Sequence, residues 1–152
     1  MSSERTERFF DLSALLTGFD RAQLLGTGVA DQYRRTLEQV VCDEVLDDLL
    51  RAYERLPAGE RREAAVRSEI LDHADRGPVA RNLIMLWYSG TWRPLPDDWR
   101  KAHGTSPLDT DRVVSGEAYV AGLQWVAAGA HPMAARPGGF GSWALPPERI
   151  DA

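Results

Sequence analysis

Residues 29–56, VADQYRRTLEQVVCDEVLDDLLRAYERL, decide the fold class of this chain. Their apolar side chains recur every three or four residues, which is the period of a helix that buries one face. The apolar positions are Val29, Tyr33, Leu37, Val40, Val41, Val45, Leu46, Leu49, Leu50 and Tyr53. The stretch therefore predicts helix, with a break near Cys42 and Asp43.

Four further helices are predicted on either side of this stretch by the same spacing. Gly18 is placed to end the first of them, because glycine readily adopts the left-handed backbone that follows a helix. Pro78 is favourable in the first turn of a helix, and the hydroxyl of Ser115 can cap the last helix. These helices cover residues 9–17, 60–74, 78–89 and 115–129.

The predicted fold class is all-α, a compact bundle of about five to seven helices followed by an extended C-terminal arm. Residues 1–130 form the helical domain in this prediction, and residues 131–152 form the arm, which is rich in proline and glycine. Residues 93–111 contain three prolines and are expected to be irregular. No strand is predicted, since no stretch alternates clearly between apolar and polar residues.

Composition limits the classes of partner. The chain has 152 residues, a length for which one domain is expected. Its formal net charge is −5, so binding to nucleic acid is not expected. Cys42 is the single cysteine, and no apolar run approaches the about 20 residues of a membrane-spanning helix. As written, the chain is expected in the cytoplasm; removal of an export leader would place it in the periplasm.

A search for catalytic or cofactor-binding motifs predicts none in this chain. Gly26-Thr27-Gly28 suggests a dinucleotide loop, but Asp31 occupies the position of the third glycine and no strand precedes it. The histidines are far apart and lack the spacing of metal ligands. His73 is interpreted as a solvated residue near a polar helix end, and His131 as part of a turn or a helix C-cap.

Aromatic residues are the most informative feature of the second half of the chain. Trp87 shares the apolar stripe of its helix and is expected in the core. Trp92, Trp99 and Trp143 fall in predicted loops, where amphipathic aromatic side chains often serve recognition. The residues alone leave core packing and a partner interface as equal alternatives.

Three blocks of sequence occur in order along the chain, and they are FFDLSALLTGF (9–19), LIMLWYSGTW (83–92) and SGEAYVAGLQWVAAGAHPMAARPGGFGSWALPP (115–147). Together they are similar to the small subunit of membrane-associated, FAD-containing sorbitol dehydrogenases and of related fructose and glucose dehydrogenases. The resemblance implies a non-catalytic subunit whose partner, a large flavoprotein of the glucose-methanol-choline type, holds FAD and substrate. It also implies that the small subunit assists the folding and maturation of this partner.

On this interpretation the chain itself has no cofactor, and its aromatic residues and arm contact the large FAD-binding catalytic subunit. Members of the family commonly begin with a twin-arginine leader, which this sequence lacks. A transient folding chaperone for the flavoprotein and a self-sufficient small enzyme are the alternatives. The expected partner-binding residues are Tyr88, Trp92, Trp99, Tyr119, Trp125, His131, Pro132, Phe140, Trp143 and Leu145.

Overall fold

The computed structural model describes residues 3–132, and about 68% of them are helical. The mostly helical class expected from the spacing of apolar residues is therefore confirmed. Apart from residues 131 and 132, the predicted C-terminal arm lies outside the described residues. The helices are α1 (Ser3–Thr17), α2 (Arg21–Gly26), α3 (Ala30–Val40), α4 (Asp43–Glu54), α5 (Arg62–Val66), α6 (Arg76–Ser89), α7 (Asp97–His103), α8 (Gly116–Ala121) and α9 (Leu123–Ala127).

Two short strands follow α6, and neither was predicted. Strand β1 (Thr91–Trp92) pairs antiparallel with β2 (Arg112–Val113), with Thr91 opposite Val113. Two residues are too few to produce an alternating pattern in the sequence. The connection between the strands contains α7, so the interpretation of residues 93–111 as wholly irregular was wrong.

Most predicted helix boundaries lie close to those observed. Residues Val41 and Cys42 are extended, with ψ of 132° and 147°, and they form the predicted break between α3 and α4. Helix α6 begins at Arg76, two residues before Pro78. It ends at Ser89 and is followed by Gly90, which adopts the left-handed conformation with φ of 68°.

The helix predicted for residues 115–129 is divided in two at Gly122. Its start is as expected, because the Ser115 hydroxyl accepts a hydrogen bond from the backbone N–H of Ala118 at 3.0 Å. At Gly122 the chain lies against the carbonyl of Tyr88, and a Cβ atom there would be 2.7 Å from that oxygen. The bend between α8 and α9 thus allows this close approach to α6.

Helix α6 occupies the centre of the bundle. It contacts α1, α3, α4, α8 and α9, and its residues Val79, Leu83, Leu86 and Trp87 are fully buried. The Trp87 ring lies between those of Phe9 on α1 and Tyr33 on α3, with centroid distances of 6.4 and 4.9 Å. The expectation that Trp87 belongs to the core is confirmed.

The charged segment before α6 is held by arginines of that helix. It consists of a 3₁₀ turn (Gly59–Arg61), α5 and a π-helical turn (Arg67–Leu71). Nη1 of Arg76 donates to the Glu69 carbonyl at 2.7 Å, and Nη1 of Arg81 donates to the Leu71 carbonyl at 2.6 Å. These bonds satisfy carbonyl groups at the end of a helical segment, where helical partners are lacking.

Candidate partner-binding surface

Two of the predicted partner-binding residues, Tyr119 and Trp125, pack against each other at the bend between α8 and α9, and the backbone carbonyl of a third, Tyr88, lies beside the same bend. The position that a Cβ of Gly122 would take lies 2.7 Å from the Tyr88 carbonyl, 3.4 Å from Trp125 Nε1 and 3.5 Å from the Tyr119 carbonyl. All three aromatic side chains are half-buried. We call Tyr88, Tyr119 and Trp125, grouped around Gly122, the aromatic corner.

Tyr88 fixes one side of the aromatic corner to the end of α1. Its hydroxyl donates a hydrogen bond to the carbonyl of Thr17 at 2.8 Å. Its ring packs edge-to-face against Phe19, with centroids 6.1 Å apart and planes at 69°. Because both the hydroxyl and the ring are held, Tyr88 presents a rigid surface.

Tyr119 and Trp125 support each other across the bend. Their ring centroids are 5.5 Å apart with an interplanar angle of 75°, an edge-to-face arrangement that is favourable for aromatic pairs. The indole Nε1 of Trp125 donates to the carbonyl of Tyr119 at 2.8 Å, near the C-terminus of α8. The indole therefore stabilises the bend and shapes the aromatic corner.

Trp92 does not belong to this surface, which corrects the prediction made from its position in the sequence. The side chain is fully buried, and its Nε1 donates to Oδ1 of Asp109 at 2.8 Å. A partner cannot contact Trp92 in this conformation. The Asp109 carboxylate, 17 residues away, satisfies the N–H group of the buried indole.

Asp109 is the centre of a buried polar cluster that orders the β1–β2 connection. Its side chain is 2% exposed and also accepts from the backbone N–H of Leu95 at 3.0 Å. Nε of Arg100 lies 3.3 Å from Oδ2, an ion pair without a well-aligned hydrogen bond. The charge of the buried carboxylate is thus balanced by hydrogen-bond donors and a cation, as burial of a charge requires.

Trp99 is also buried, at 4% exposure, and so its predicted partner-binding role needs the same correction. Its Nε1 donates to the carbonyl of Asp75 at 2.9 Å. The imidazole of His103 lies against the Trp99 ring at 4.7 Å, and its Nε2 is 2.8 Å from Oδ1 of Asp75. Trp99 therefore joins α7 to the start of α6.

The remaining predicted residues fall at or beyond the end of the described chain. His131 and Pro132 follow α9 and are half-buried. Phe140, Trp143 and Leu145 lie outside the described residues. Their predicted contacts with a partner stay predictions.

Sequence reasoning missed the residues that order the loop after α6. Asn82 is buried, donates to the Arg93 carbonyl at 2.9 Å and accepts from the Arg93 N–H at 3.1 Å. A signal existed for Asn82, because it lies three residues after Val79 and four before Leu86, on the core-facing stripe. Asp109 gave no comparable signal, since it stands in a polar loop.

His73 is not simply a solvated residue. Its ring is half-buried, and Nδ1 accepts from the backbone N–H groups of Asp75 and Arg76 at 3.2 and 3.4 Å. These N–H groups lie at the N-terminus of α6, where helical partners are lacking. The imidazole therefore acts as a cap for the central helix.

Two carboxyl groups away from the aromatic corner have lowered pKa values. The hydrogen bond from Arg76 Nε, at 2.6 Å, holds the pKa of the Asp48 carboxyl below its usual range. The hydrogen bond from Arg34 lowers the pKa of Asp31 in the same way. Among residues 3–132, no group of three or more His, Cys, Asp or Glu side chains is placed to hold a metal ion.

No family model, curated protein or solved structure matches the chain. The resemblance drawn from the three sequence blocks therefore remains a prediction. Within the part of the chain that the structure describes, no helix combines the length and apolar character needed to cross a membrane.

Proposed function

We propose that this chain is a non-catalytic accessory subunit that binds, stabilises and helps to mature a large FAD-dependent dehydrogenase of the glucose-methanol-choline type. The substrate of that complex would be a sugar or another alcohol, and FAD would be bound by the large subunit. The proposal extends the resemblance carried by the three sequence blocks.

The observation that carries the proposal is that the described parts of these three blocks, residues 9–19, 83–92 and 115–132, are in contact. The first and second blocks are joined by the bond from the Tyr88 hydroxyl to the Thr17 carbonyl, at 2.8 Å. The second and third are joined where a Cβ of Gly90 would lie 2.6 Å from the Ala118 carbonyl carbon. Segments far apart in the sequence thus form one continuous region, as expected if they are kept together for one purpose.

The aromatic corner has the properties of a docking site for a protein. Tyrosine and tryptophan dominate the binding energy of many interfaces, because they bury a large area and lose little conformational freedom. Tyr88 and Trp125 are already held by hydrogen bonds within the chain. In this proposal they contact the large subunit, and residues 131–152 extend the contact through Phe140, Trp143 and Leu145.

Co-purification from the source organism tests the proposal. A tagged full-length chain is expected to retain a large polypeptide with bound flavin, and the complex should reduce a dye acceptor with a sugar or alcohol. Recovery of the chain without any flavoprotein would contradict the proposal. Recovery of the flavoprotein only before it becomes active would instead favour a transient chaperone.

Two variants locate the interface. Trp125→Ala is expected to weaken the complex by about 2 kcal/mol or more, roughly thirtyfold in affinity, as for a buried aromatic anchor. Deletion of residues 131–152 should leave a folded helical domain that no longer co-purifies with the flavoprotein.

Tyr53→Ala is the matched control, since Tyr53 is a half-buried aromatic residue on α4 beside Arg62. It should leave the affinity unchanged. Circular dichroism would verify that each variant keeps its helices. If neither the deletion nor Trp125→Ala weakened binding, the proposed interface would be contradicted.

A further inference from the structure

Three polar side-chain atoms in the centre of the bundle lack a hydrogen-bonding partner in the described chain. They are Oγ of Ser13 on α1, the hydroxyl of Tyr33 on α3 and Nε1 of Trp87 on α6. All three residues are fully buried. An unpaired buried polar group carries the full cost of its desolvation, so a set of three requires an explanation.

A ring contact relates two of these residues, and helical spacing relates the third to them. The rings of Tyr33 and Trp87 are in direct contact, with centroids 4.9 Å apart and planes at 88°. Ser13 is one helical turn after Phe9, whose ring lies 6.4 Å from Trp87. It is one turn before Thr17, whose carbonyl binds the hydroxyl of Tyr88. Since residues one turn apart share a helix face, Ser13 faces α6 beside Trp87.

We propose that this internal site binds one water molecule, which bridges Ser13, Tyr33 and Trp87. The Trp87 N–H can only donate, so the bound molecule must accept one hydrogen bond. The hydroxyls of Ser13 and Tyr33 can each accept or donate, so a molecule that accepts at most two hydrogen bonds must donate to at least one of them. Water meets these requirements, and about three hydrogen bonds are typical of a buried water. The site ties three helices together through one shared ligand.

The perpendicular rings offer one competing explanation. The Trp87 N–H could point at the face of the Tyr33 ring, a weak interaction that does not involve the tyrosine hydroxyl. Phenylalanine at position 33 would preserve that interaction and would remove only the hydroxyl. Tyr33→Phe therefore separates the two explanations.

In the full chain, Tyr33→Phe is expected to raise the equilibrium constant for unfolding about three- to tenfold, the effect of losing a net favourable hydrogen bond. Urea titration followed by circular dichroism measures the change. An unchanged or smaller constant would overturn the proposal, because removing an unpaired hydroxyl costs nothing.

Two other tyrosines calibrate the measurement. Tyr88→Phe removes a hydroxyl that binds the Thr17 carbonyl at 2.8 Å, and it should show a loss of similar size. Tyr53→Phe removes a hydroxyl from a half-buried residue at the surface, and it should show no change.

A second measurement uses the unaltered protein, so that it does not depend on a variant that folds. The indole N–H resonance of Trp87, assigned as the signal lost in Trp87→Phe, should show magnetisation transfer from a long-lived water molecule in NMR spectra. Ser13→Ala and Tyr33→Phe should also be less than additive when combined, since either change disturbs the same water. An indole signal without transfer from water, or strictly additive effects, would contradict the shared site.

Discussion

At the scale of single residues, Asp109 determines how the connection between β1 and β2 is arranged. One carboxylate receives the Trp92 indole N–H at 2.8 Å and the Leu95 backbone N–H at 3.0 Å, and it lies beside Arg100. Because these groups belong to different parts of the connection, the carboxylate holds them together. The burial of Trp92 follows from this arrangement.

Asp109→Asn should destabilise the protein by about 1–3 kcal/mol, the cost of leaving buried donors unsatisfied. An amide oxygen at the Oδ1 position would keep the bonds from Trp92 and Leu95, but the amide NH₂ group would then face Nε of Arg100. In the opposite orientation, the NH₂ group would face the N–H groups of Trp92 and Leu95. The free energy of unfolding from urea titration measures the effect.

Asp111→Asn is the control for this prediction, because it makes the same change two residues along the chain. The Asp111 side chain is 59% exposed and lies 3.5 Å from Arg93. Its replacement should change the free energy of unfolding by less than about 0.5 kcal/mol. Equal effects at positions 109 and 111 would show that the buried cluster does not stabilise the connection.

At the scale of elements, the end of α6 depends on a glycine. Gly90 has φ of 68°, and a Cβ atom there would lie 2.6 Å from the backbone of Ala118. Gly90→Ala should therefore incur both backbone strain and a collision with α8, with a loss of about 2 kcal/mol or more in the free energy of unfolding. Urea titration measures this loss.

Two other glycines separate the contributions to that loss. Gly18 has φ of 77° but has no atom within 4 Å of its Cβ position, so Gly18→Ala should cost only the backbone strain, about 1–2 kcal/mol. Gly116 lies in the first turn of α8 in open space without a positive φ, and Gly116→Ala should be neutral or stabilising. A Gly90→Ala loss no greater than that of Gly18→Ala would exclude the collision.

Elements whose signals are local were predictable from the sequence. The break at Cys42 and the Ser115 cap depend on residues adjacent in the chain, and both are present. Helix α7 was missed because it has only 7 residues and lies among prolines. The bend at Gly122 was missed because the contact that favours a glycine there, with the Tyr88 carbonyl, involves another helix.

The candidate partner-binding residues show the same difference between local signals and contacts made over a long distance in the sequence. Tyr119 and Trp125 pack together and the Tyr88 carbonyl lies beside them at Gly122, an arrangement that the sequence could not show. Trp92 and Trp99 follow a helix in a proline-rich segment, and exposure was predicted for them because such a segment was interpreted as a loop. Their burial depends on Asp109 and on the carbonyl of Asp75, which are 17 and 24 residues away. Long-range polar contacts of this kind leave no periodic pattern.

At the scale of the whole molecule, a buried tyrosine makes the free energy of unfolding fall at alkaline pH. Burial raises the pKa of the Tyr33 hydroxyl well above its usual value. In the unfolded chain a tyrosine loses its proton near pH 10, whereas the buried group keeps it. Stability is therefore complete below about pH 10 and falls as the pH rises toward the raised pKa of the folded state.

The expected slope in that range is a loss of about 1.4 kcal/mol per pH unit from this one group. Urea titrations at a series of pH values measure the slope. Tyr33→Phe should flatten it, while Tyr53→Phe, which alters a half-buried tyrosine, should not. A slope that is unchanged in Tyr33→Phe would place the cause in other groups.

The central position of α6 also has a consequence during biosynthesis. Helices α1 to α4 end at Glu54, but the helix against which α1, α3 and α4 pack is complete only at Ser89. Residues 55–89 take about two to seven seconds to translate at a rate of about 5–20 residues per second. The apolar faces that pack on α6 therefore stay uncovered for that time. We expect the nascent chain to be accessible to proteases and to ribosome-associated chaperones during this interval, because the faces that pack on α6 are still uncovered. Rapid translation of residues 55–89 would shorten it.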